Sequence, residues 1–178
     1  AQRSSRELEL LEGVDIVAGN TDKTTLVQSI VAWKGEPLVP CAVGDDGRVV
    51  SPTTLRTRAM VKIQEGCDQV CAYCIVPTVR GRERSVSPGA IVDEIDRYVA
   101  LGYKEVVLTG TQLGSYGFDL TDTTLTGLLR HVLAKTKVVR LRVSSLQPQE
   151  LDQGLLNVWD DPRLCPHFHI PLQSGCDT

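Results

Sequence analysis

Glu65-Gly-Cys67-Asp-Gln-Val-Cys71-Ala-Tyr-Cys74-Ile-Val-Pro77 is the stretch around which this chain is organised. It places three cysteines in a C-x3-C-x2-C spacing. Because three is an odd number and the intervening loops are very short, these thiols cannot all pair as disulfides. Three thiolates on one short loop can instead converge on a single inorganic centre.

The spacing alone leaves the identity of that centre open. A cubane iron–sulfur cluster usually takes four Cys ligands, so three would leave one iron with an open coordination position. A structural zinc site needs a fourth ligand, and no second C-x2-C or H-x3-H pair is present. The residues that could supply the fourth zinc ligand lie far from the loop in sequence: His131, His167, His169, Cys165 and Cys176. Three ordinary buried cysteines are a further alternative, although the polar Asp68 and Gln69 argue against a core strand.

Tyr73 directly precedes the third cysteine, and the whole motif resembles the signature of the radical S-adenosylmethionine (SAM) enzymes. Other segments resemble the methylthiotransferase branch of that group: Ile63–Cys67, Ile75–Pro77, Arg80–Arg82 with Ser85, Leu108–Gly117 and His169–Gly175. Segments 113–117 and 144–148 look most like the enzymes that act on threonylcarbamoyl-adenosine beside the tRNA anticodon. The alternatives within the branch are an isopentenyl-adenosine tRNA methylthiotransferase and a ribosomal-protein methylthiotransferase.

The resemblance implies a set of cofactors and site residues. Cys67, Cys71 and Cys74 would hold a [4Fe-4S] cluster whose open iron binds SAM. Further SAM contacts are implied for Tyr73 beside the adenine, Gly110 at the methionyl end, and Ser144, Ser145 and Gln173 as polar partners. A second [4Fe-4S] cluster belongs to the full-length protein only, because none of its ligands is recognised here; we therefore expect this fragment to be inactive alone. His167 and His169 are interpreted as core histidines, and Cys165 and Cys176 as structural.

The resemblance also implies partners. They are the anticodon stem-loop of a tRNA and an electron donor such as flavodoxin or ferredoxin. Arg80, Arg82 and Arg84 are candidates for contacting the RNA backbone, or else form a solvated basic loop. Two hypotheses from other functional classes remain: a non-enzymatic zinc-binding module, and an electron-transfer iron–sulfur protein.

Bulk composition sets further limits. The chain has 178 residues and a formal net charge of −3. A net negative charge does not indicate nucleic-acid binding by the molecule as a whole. No apolar run is long enough to span a membrane. Six cysteines without a paired extracellular pattern suit a reducing compartment, so a cytoplasmic protein is expected. The chain opens on Ala1 without Met and therefore looks like an excised fragment.

The predicted fold is α/β, a partial parallel (β/α) barrel of radical SAM type preceded by the tail of an α/β N-terminal domain. Residues 1–35 are assigned to that tail, 36–57 to a linker containing an incidental Cys41, and 58–178 to a truncated barrel. The tail is predicted as a helix at 4–11, a buried strand at 14–19 and a second helix. The barrel strands are predicted at 59–64, 105–109, 138–143 and 167–172, with helices from 87, at 125–134 and at 149–159. The carboxyl ends of such strands are where α/β barrels place their chemistry.

Overall fold

The structure, a computed structural model, describes residues 4–19, 22, 25–34, 57–172 and 174–176. Contacts between Cα atoms divide the chain into two compact units: Ala1–Leu55 with Cys71–Arg80, and Arg56–Val70 with Gly81–Thr178. The predicted linker, apart from Thr57, lies outside the described residues, and so does Cys41. Within the described part of the chain, no helix is long and apolar enough to cross a membrane.

The described residues of the first unit form three short helices. These are α1 (Ser5–Glu9), α2 (Leu26–Lys34) and α3 (Val76–Arg80). The prediction of a buried strand at 14–19 is wrong, because this segment pairs with no described strand and its side chains are exposed or half-buried. An apolar run becomes a strand only where a neighbouring backbone completes its hydrogen bonds.

The second unit is built on a parallel sheet. Its strands are β1 (Arg58–Lys62), β2 (Gln64–Glu65), β3 (Arg84–Ser85), β4 (Glu105–Thr109) and β5 (Arg140–Val143). The three longer strands pair in the order β1-β4-β5, all parallel, while β2 and β3 form a small antiparallel ribbon. The central strand β4 is almost wholly buried, which explains its continuous apolar sequence. The sheet is parallel and open, as predicted for a partial barrel.

Two amphipathic helices supply most of the rest of the core. In α4 (Pro88–Ala100), Ser87 accepts a hydrogen bond from the Ala90 N–H and Pro88 occupies the first turn, as the sequence predicts. In α5 (Leu125–Lys135), Thr124 caps the first turn through the Gly127 N–H at 3.1 Å. The buried faces of both helices join the strand residues in one apolar cluster. The carboxyl ends of the strands are thereby held on a rigid base.

The predicted helix at 149–159 is wrong as a single element. It is divided into a 3-10 turn at Pro148–Glu150, helix α6 (Gln153–Leu156) and a second 3-10 turn at Asn157–Asp160. Asp152 accepts a hydrogen bond from the Leu155 N–H at 2.7 Å and so starts a new helix. A side-chain cap within an apolar periodic pattern therefore interrupts the helix that the pattern predicts.

The predicted strand at 167–172 is also wrong. Two isolated parallel bridges, Leu141 to Leu164 and Ser145 to His169, replace a continuous strand beside β5. Pro166 and Pro171 lack an N–H group and so cannot continue such a ladder. His167 and His169 are exposed, so their interpretation as core histidines is corrected as well.

Candidate cofactor site

The carboxyl ends of the sheet carry the residues that the sequence singled out. The cysteine loop follows β1 and the ribbon strand β2, the Gly-rich segment 110–117 follows β4, and Ser144 follows β5. Because the three long strands are parallel and adjacent, their carboxyl ends meet at one edge. The second unit thus brings Cys67, Gly110 and Ser144 to the same edge of its sheet.

The entry to the cysteine loop depends on Gly66. This residue has a φ of +82°, and a Cβ at its position would lie 2.0 Å from the carbonyl oxygen of Arg82. The Cys67 N–H donates to the Gly81 carbonyl at 3.2 Å. Only glycine combines this backbone conformation with so close a neighbour, so the local packing requires a glycine directly before Cys67.

The carboxylates of Asp68 and Glu83 also fix the start of the cysteine loop. The Asp68 N–H donates to a carboxylate oxygen of Glu83, and the Glu83 N–H donates to Asp68 Oδ1, both at 3.2 Å. Arg82 adds an ion pair to Asp68 Oδ2 at 3.1 Å. This reciprocal arrangement fastens the residue after Cys67 to the segment leading into β3.

Cys71 and Cys74 stand at the two ends of a turn in the first unit. The Cys74 N–H donates to the Cys71 carbonyl at 3.1 Å, which is the hydrogen bond of a four-residue β-turn. Tyr73 lies inside the turn and is 77% exposed. A turn of this kind holds the Cα atoms of its end residues within about 7 Å of each other, so the turn keeps Cys71 and Cys74 close together.

All three cysteines are reduced thiols, with Cys71 exposed and the other two partly buried. The three thiols fit, in donor type and in number, a cluster with one open iron. Within the ranges that the structure describes, however, no three His, Cys, Asp or Glu side chains are gathered closely enough to hold a metal ion. Cys71 and Cys74 thus share one turn, and a cluster held by all three thiols stays a prediction.

Gln64 occupies the centre of the strand-end region. Its side chain is buried, donates to the Gly66 carbonyl at 2.8 Å, and accepts from the N–H groups of Thr111 and Gln112, both at 2.8 Å. A Cβ at Gly110 would lie 3.0 Å from Gln64 Oε1 and 2.7 Å from a Leu113 methyl. Gly110 thus gives the glutamine room to approach the backbone of the loop after β4.

A second polar network joins the loops after β4 and β5. Gln112 donates to Glu150, Gln147 Nε2 donates to Gln112 Oε1 at 2.7 Å, and the Gln147 N–H donates to Glu150 Oε2 at 2.7 Å. Burial raises the pKa of Glu150, while backbone hydrogen bonds from Gln147 and Gly114 oppose that rise. Every member of the network has a partner, so the network stiffens this edge without leaving a buried polar atom unsatisfied.

The Gly-rich segment is anchored to β3 as well. The Ser85 N–H donates to the Asp119 carboxylate at 3.0 Å, and the Gly117 N–H donates to Ser85 Oγ at 2.9 Å. The buried Tyr116 hydroxyl donates to the Val86 carbonyl at 2.6 Å. These bonds fix the carboxyl end of the segment to β3 and to the residue that follows it.

The remaining predicted contacts lie at or near the end of β5. The Ser144 N–H donates to the Leu108 carbonyl, whereas the exposed Ser145 hydroxyl bonds to His169 Nδ1 at 2.6 Å. Gln173 lies outside the described residues. Cys165 is buried beside Arg140, in keeping with a structural role, and Cys176 is exposed.

Three glutamines were not singled out from the sequence as candidate site residues: Gln64, Gln112 and Gln147. Each follows a strand of the parallel sheet by two to four residues, and Gln112 and Gln147 directly precede a 3-10 helix. A long amide side chain there can satisfy exposed backbone groups of a neighbouring loop. The sequence shows the residue type but not the neighbour it will meet.

Comparison with solved structures shows the fold. The chain superposes on the radical SAM methyltransferase TsrM from Kitasatospora setae, solved with tryptophan substrate and a SAM analogue, with a TM-score of 0.50. That match is 17% identical and covers 72% of this chain and 25% of TsrM. A second TsrM structure, solved with cobalamin and a [4Fe-4S] cluster, gives the same TM-score and identity.

Comparison with curated proteins finds tRNA-modifying enzymes. Threonylcarbamoyladenosine tRNA methylthiotransferase MtaB from Bacillus subtilis (strain 168) is 36% identical over the whole chain, which covers 42% of that protein. The MtaB of Aquifex aeolicus (strain VF5) is 36% identical, with 98% of this chain and 44% of that protein covered. The tRNA-2-methylthio-N(6)-dimethylallyladenosine synthase of Dictyoglomus thermophilum is 35% identical over 99% of this chain and 42% of its own length. The chain therefore spans less than half the length of these relatives.

The family comparison covers the strands and loops described above. The sequence profile of the Radical SAM superfamily matches residues 61–177, which include the cysteine loop and all three strand ends. From that match and the open parallel sheet, we conclude that this chain belongs to the radical SAM superfamily.

Proposed function

We propose that the chain is part of the catalytic core of a tRNA methylthiotransferase. The reaction would add a methylthio group to threonylcarbamoyl-adenosine beside the anticodon. The observation that carries the proposal is the C-x3-C-x2-C loop, which leaves the sheet at the edge where the loops after β4 and β5 also lie. The similarity to the MtaB proteins over the whole chain supports the choice of reaction.

Membership of the superfamily implies a [4Fe-4S] cluster and SAM as cofactors. Cys67, Cys71 and Cys74 would hold the cluster, and their loop would leave one iron for the amino and carboxylate groups of SAM. When bound, these cofactors supply one-electron cleavage of the sulfonium carbon–sulfur bond and a radical that abstracts hydrogen. The protein's own task is then to orient the reactants and exclude water.

The chain's residues divide that task between them. Tyr73, in the turn between Cys71 and Cys74, is proposed to lie against the adenine of SAM. Gly110 is proposed to admit the methionyl end, since a side chain there would meet Gln64 and Leu113. Ser144, Ser145 and Gln173 are proposed as polar contacts, with the Ser145 hydroxyl oriented by His169.

The proposed partners are the anticodon stem-loop of a tRNA and a flavodoxin or ferredoxin that supplies the electron. Arg82 and Arg84 are exposed beside the cysteine loop and are suited to contact phosphates. Arg80 ends α3 and is a further candidate. With these partners, a cytoplasmic location is proposed as well.

A second candidate substrate is supported by one observation. The dimethylallyladenosine synthases are 35–36% identical to the chain, nearly the same as the MtaB proteins. Overall identity therefore does not separate the two modified adenosines. A ribosomal-protein methylthiotransferase is the third alternative within the branch.

The deciding experiment is mass spectrometry of tRNA nucleosides from cells that lack the full-length gene. We expect loss of the methylthio group from threonylcarbamoyl-adenosine alone, with restoration by the wild-type gene but not by Cys71→Ala. Loss from isopentenyl-adenosine instead would favour the second candidate. Unchanged nucleosides of both kinds would contradict a tRNA methylthiotransferase.

The isolated chain is proposed to be insufficient for the complete reaction. It spans 42% of the Bacillus subtilis relative, and no ligands of a second, sulfur-donating cluster were recognised in its sequence. We expect the reconstituted chain to bind SAM without forming thiomethylated product. Detection of thiomethylated nucleoside from the isolated chain would overturn this expectation.

A further inference from the structure

We infer that Gln64 is a positioning residue that fixes the cysteine loop to the loop after β4, and so sets the site to which SAM binds. The inference rests on the proposed function for its consequence, but its geometry stands within the second unit alone. Gln64 directly precedes Glu65-Gly66-Cys67, yet its side chain contacts the loop more than forty residues further along the chain.

Both the nitrogen and the oxygen of the Gln64 side-chain amide form hydrogen bonds. The amide nitrogen donates to the Gly66 carbonyl, one residue before Cys67, at 2.8 Å. The amide oxygen accepts from two successive backbone N–H groups, those of Thr111 and Gln112, also at 2.8 Å each. One side chain therefore satisfies three backbone groups that belong to two different loops.

Burial makes this arrangement specific. Gln64 is 1% exposed, so bulk water does not compete for its three hydrogen bonds in the folded protein. A Cβ added at Gly110 would lie 3.0 and 3.1 Å from Gln64 atoms, which shows how closely the glutamine approaches that loop. A buried polar group with all partners satisfied specifies one geometry, whereas a partly satisfied one is costly.

The consequence for the cofactor follows from where the two loops lie. The cysteine loop is proposed to hold the cluster, and the segment 109–111 is proposed to meet the methionyl end of SAM. SAM bound to the open iron would contact both loops at once. Pre-organising two halves of a binding site reduces the cost of ordering them on binding.

The test uses the full-length protein with iron and sulfide reconstituted anaerobically, and three variants. Gln64→Ala removes all three bonds. Gln64→Glu keeps an acceptor for Thr111 and Gln112 but cannot donate to the Gly66 carbonyl in its ionised form. Gln153→Ala is the control, because Gln153 is exposed on α6 and its side-chain amide donates to Asn157 Oδ1 at 2.7 Å, outside both loops. The readouts are iron content, SAM affinity, and hydrogen exchange of the backbone amides in the metal-free protein.

For Gln64→Ala we expect wild-type iron content, SAM affinity weakened roughly tenfold, and exchange at the Thr111 and Gln112 amides accelerated roughly fivefold or more. Gln64→Glu should retain the protection of those two amides and still lose SAM affinity. Gln153→Ala should match the wild type in all three readouts.

Two results would overturn the inference: wild-type SAM affinity in both Gln64 variants, or unchanged amide exchange in Gln64→Ala. If Gln64→Ala unfolds, Gln64→Glu alone decides, through SAM affinity measured at wild-type iron content. If the loaded wild-type protein does not bind SAM, the proposed function fails instead. The hydrogen-exchange comparison then still supports or refutes the coupling of the two loops, because it needs no cofactor.

Discussion

At the scale of single residues, the cysteine loop depends on a glycine that carries no chemistry itself. Gly66 combines a positive φ with backbone contact to Arg82, whereas Gly81 has a similar φ of +78° and open space around it. We expect Gly66→Ala to destabilise the protein by about 3 kcal/mol, and Gly81→Ala by only about 1 kcal/mol. Gly89→Ala in the first turn of α4, where nothing lies within 4 Å, should be neutral or slightly stabilising.

Urea unfolding of these three variants separates steric overlap from backbone strain. We expect the order Gly66, then Gly81, then Gly89, from the most to the least destabilising substitution. Equal effects at Gly66 and Gly81 would show that the close approach to Arg82 contributes nothing.

Tyr116 provides a second residue-level prediction. Burial, with a smaller effect from Asp119, raises the pKa of Tyr116 from 10.0 to about 12. The folded state therefore favours the protonated phenol, so the stability it contributes is complete below pH 10 and is lost as the pH rises towards about 12. Tyrosinate absorbance should show one of the four tyrosines ionising late, and Tyr116→Phe should remove that step.

The same variant has a stability effect at neutral pH. Tyr116→Phe leaves the Val86 carbonyl without its 2.6 Å donor and should cost about 1 kcal/mol. Titration curves that coincide at high pH for wild type and Tyr116→Phe would refute the assignment.

At the scale of elements, one carboxylate joins the amino ends of the three parallel strands. Glu105 opens β4, is buried, and forms ion pairs with Arg58 of β1 at 3.1 Å and with Arg142 of β5 at 2.7 Å. Arg140 adds a contact at 3.4 Å. Arg58 and Arg140 are more than half exposed, so solvent screens their contribution and Arg142 contributes most.

The hydrogen bond from Arg142 lowers the pKa of Glu105 below its usual 4.5, against the opposing effect of burial. A lowered carboxyl pKa contributes stability that is complete above pH 4.5 and is lost as the pH falls through the folded-state pKa. We expect Glu105→Gln to cost about 2 kcal/mol at neutral pH. The difference from wild type should shrink in urea unfolding at acid pH, and a constant difference would contradict the account.

Local patterns predicted some elements well and others poorly. The strand at Glu105–Thr109 and the helix begun by Ser87 and Pro88 were predicted correctly, because a continuous apolar run and a capping residue are local signals. The apolar run at 14–19 was not a strand, because strand formation needs a partner that no local pattern reveals. The prediction of one helix at 149–159 did not take into account Asp152, whose side chain caps a new helix.

At the scale of the whole molecule, the superfamily and the three-cysteine motif were predictable from the sequence, because the motif is contiguous. The roles of Gln64, Gln112 and Gln147 were not, because each depends on a loop distant in sequence that the parallel sheet brings close. That the three cysteines form a metal site remains a prediction, because no three possible ligands in the described part of the chain lie close enough together to hold a metal ion.

Electron paramagnetic resonance of the reduced, reconstituted protein tests the central claim most directly. The iron content of three variants is measured beside it: Cys67→Ala, Cys71→Ala and Cys74→Ala. Cys165→Ala is the control. We predict a [4Fe-4S] signal that changes when SAM is added, loss of the cluster in each of the first three variants, and retention of it in Cys165→Ala. A cluster whose spectrum ignores SAM, or one bound zinc in place of iron, would contradict the claim that three thiolates leave one iron open to SAM.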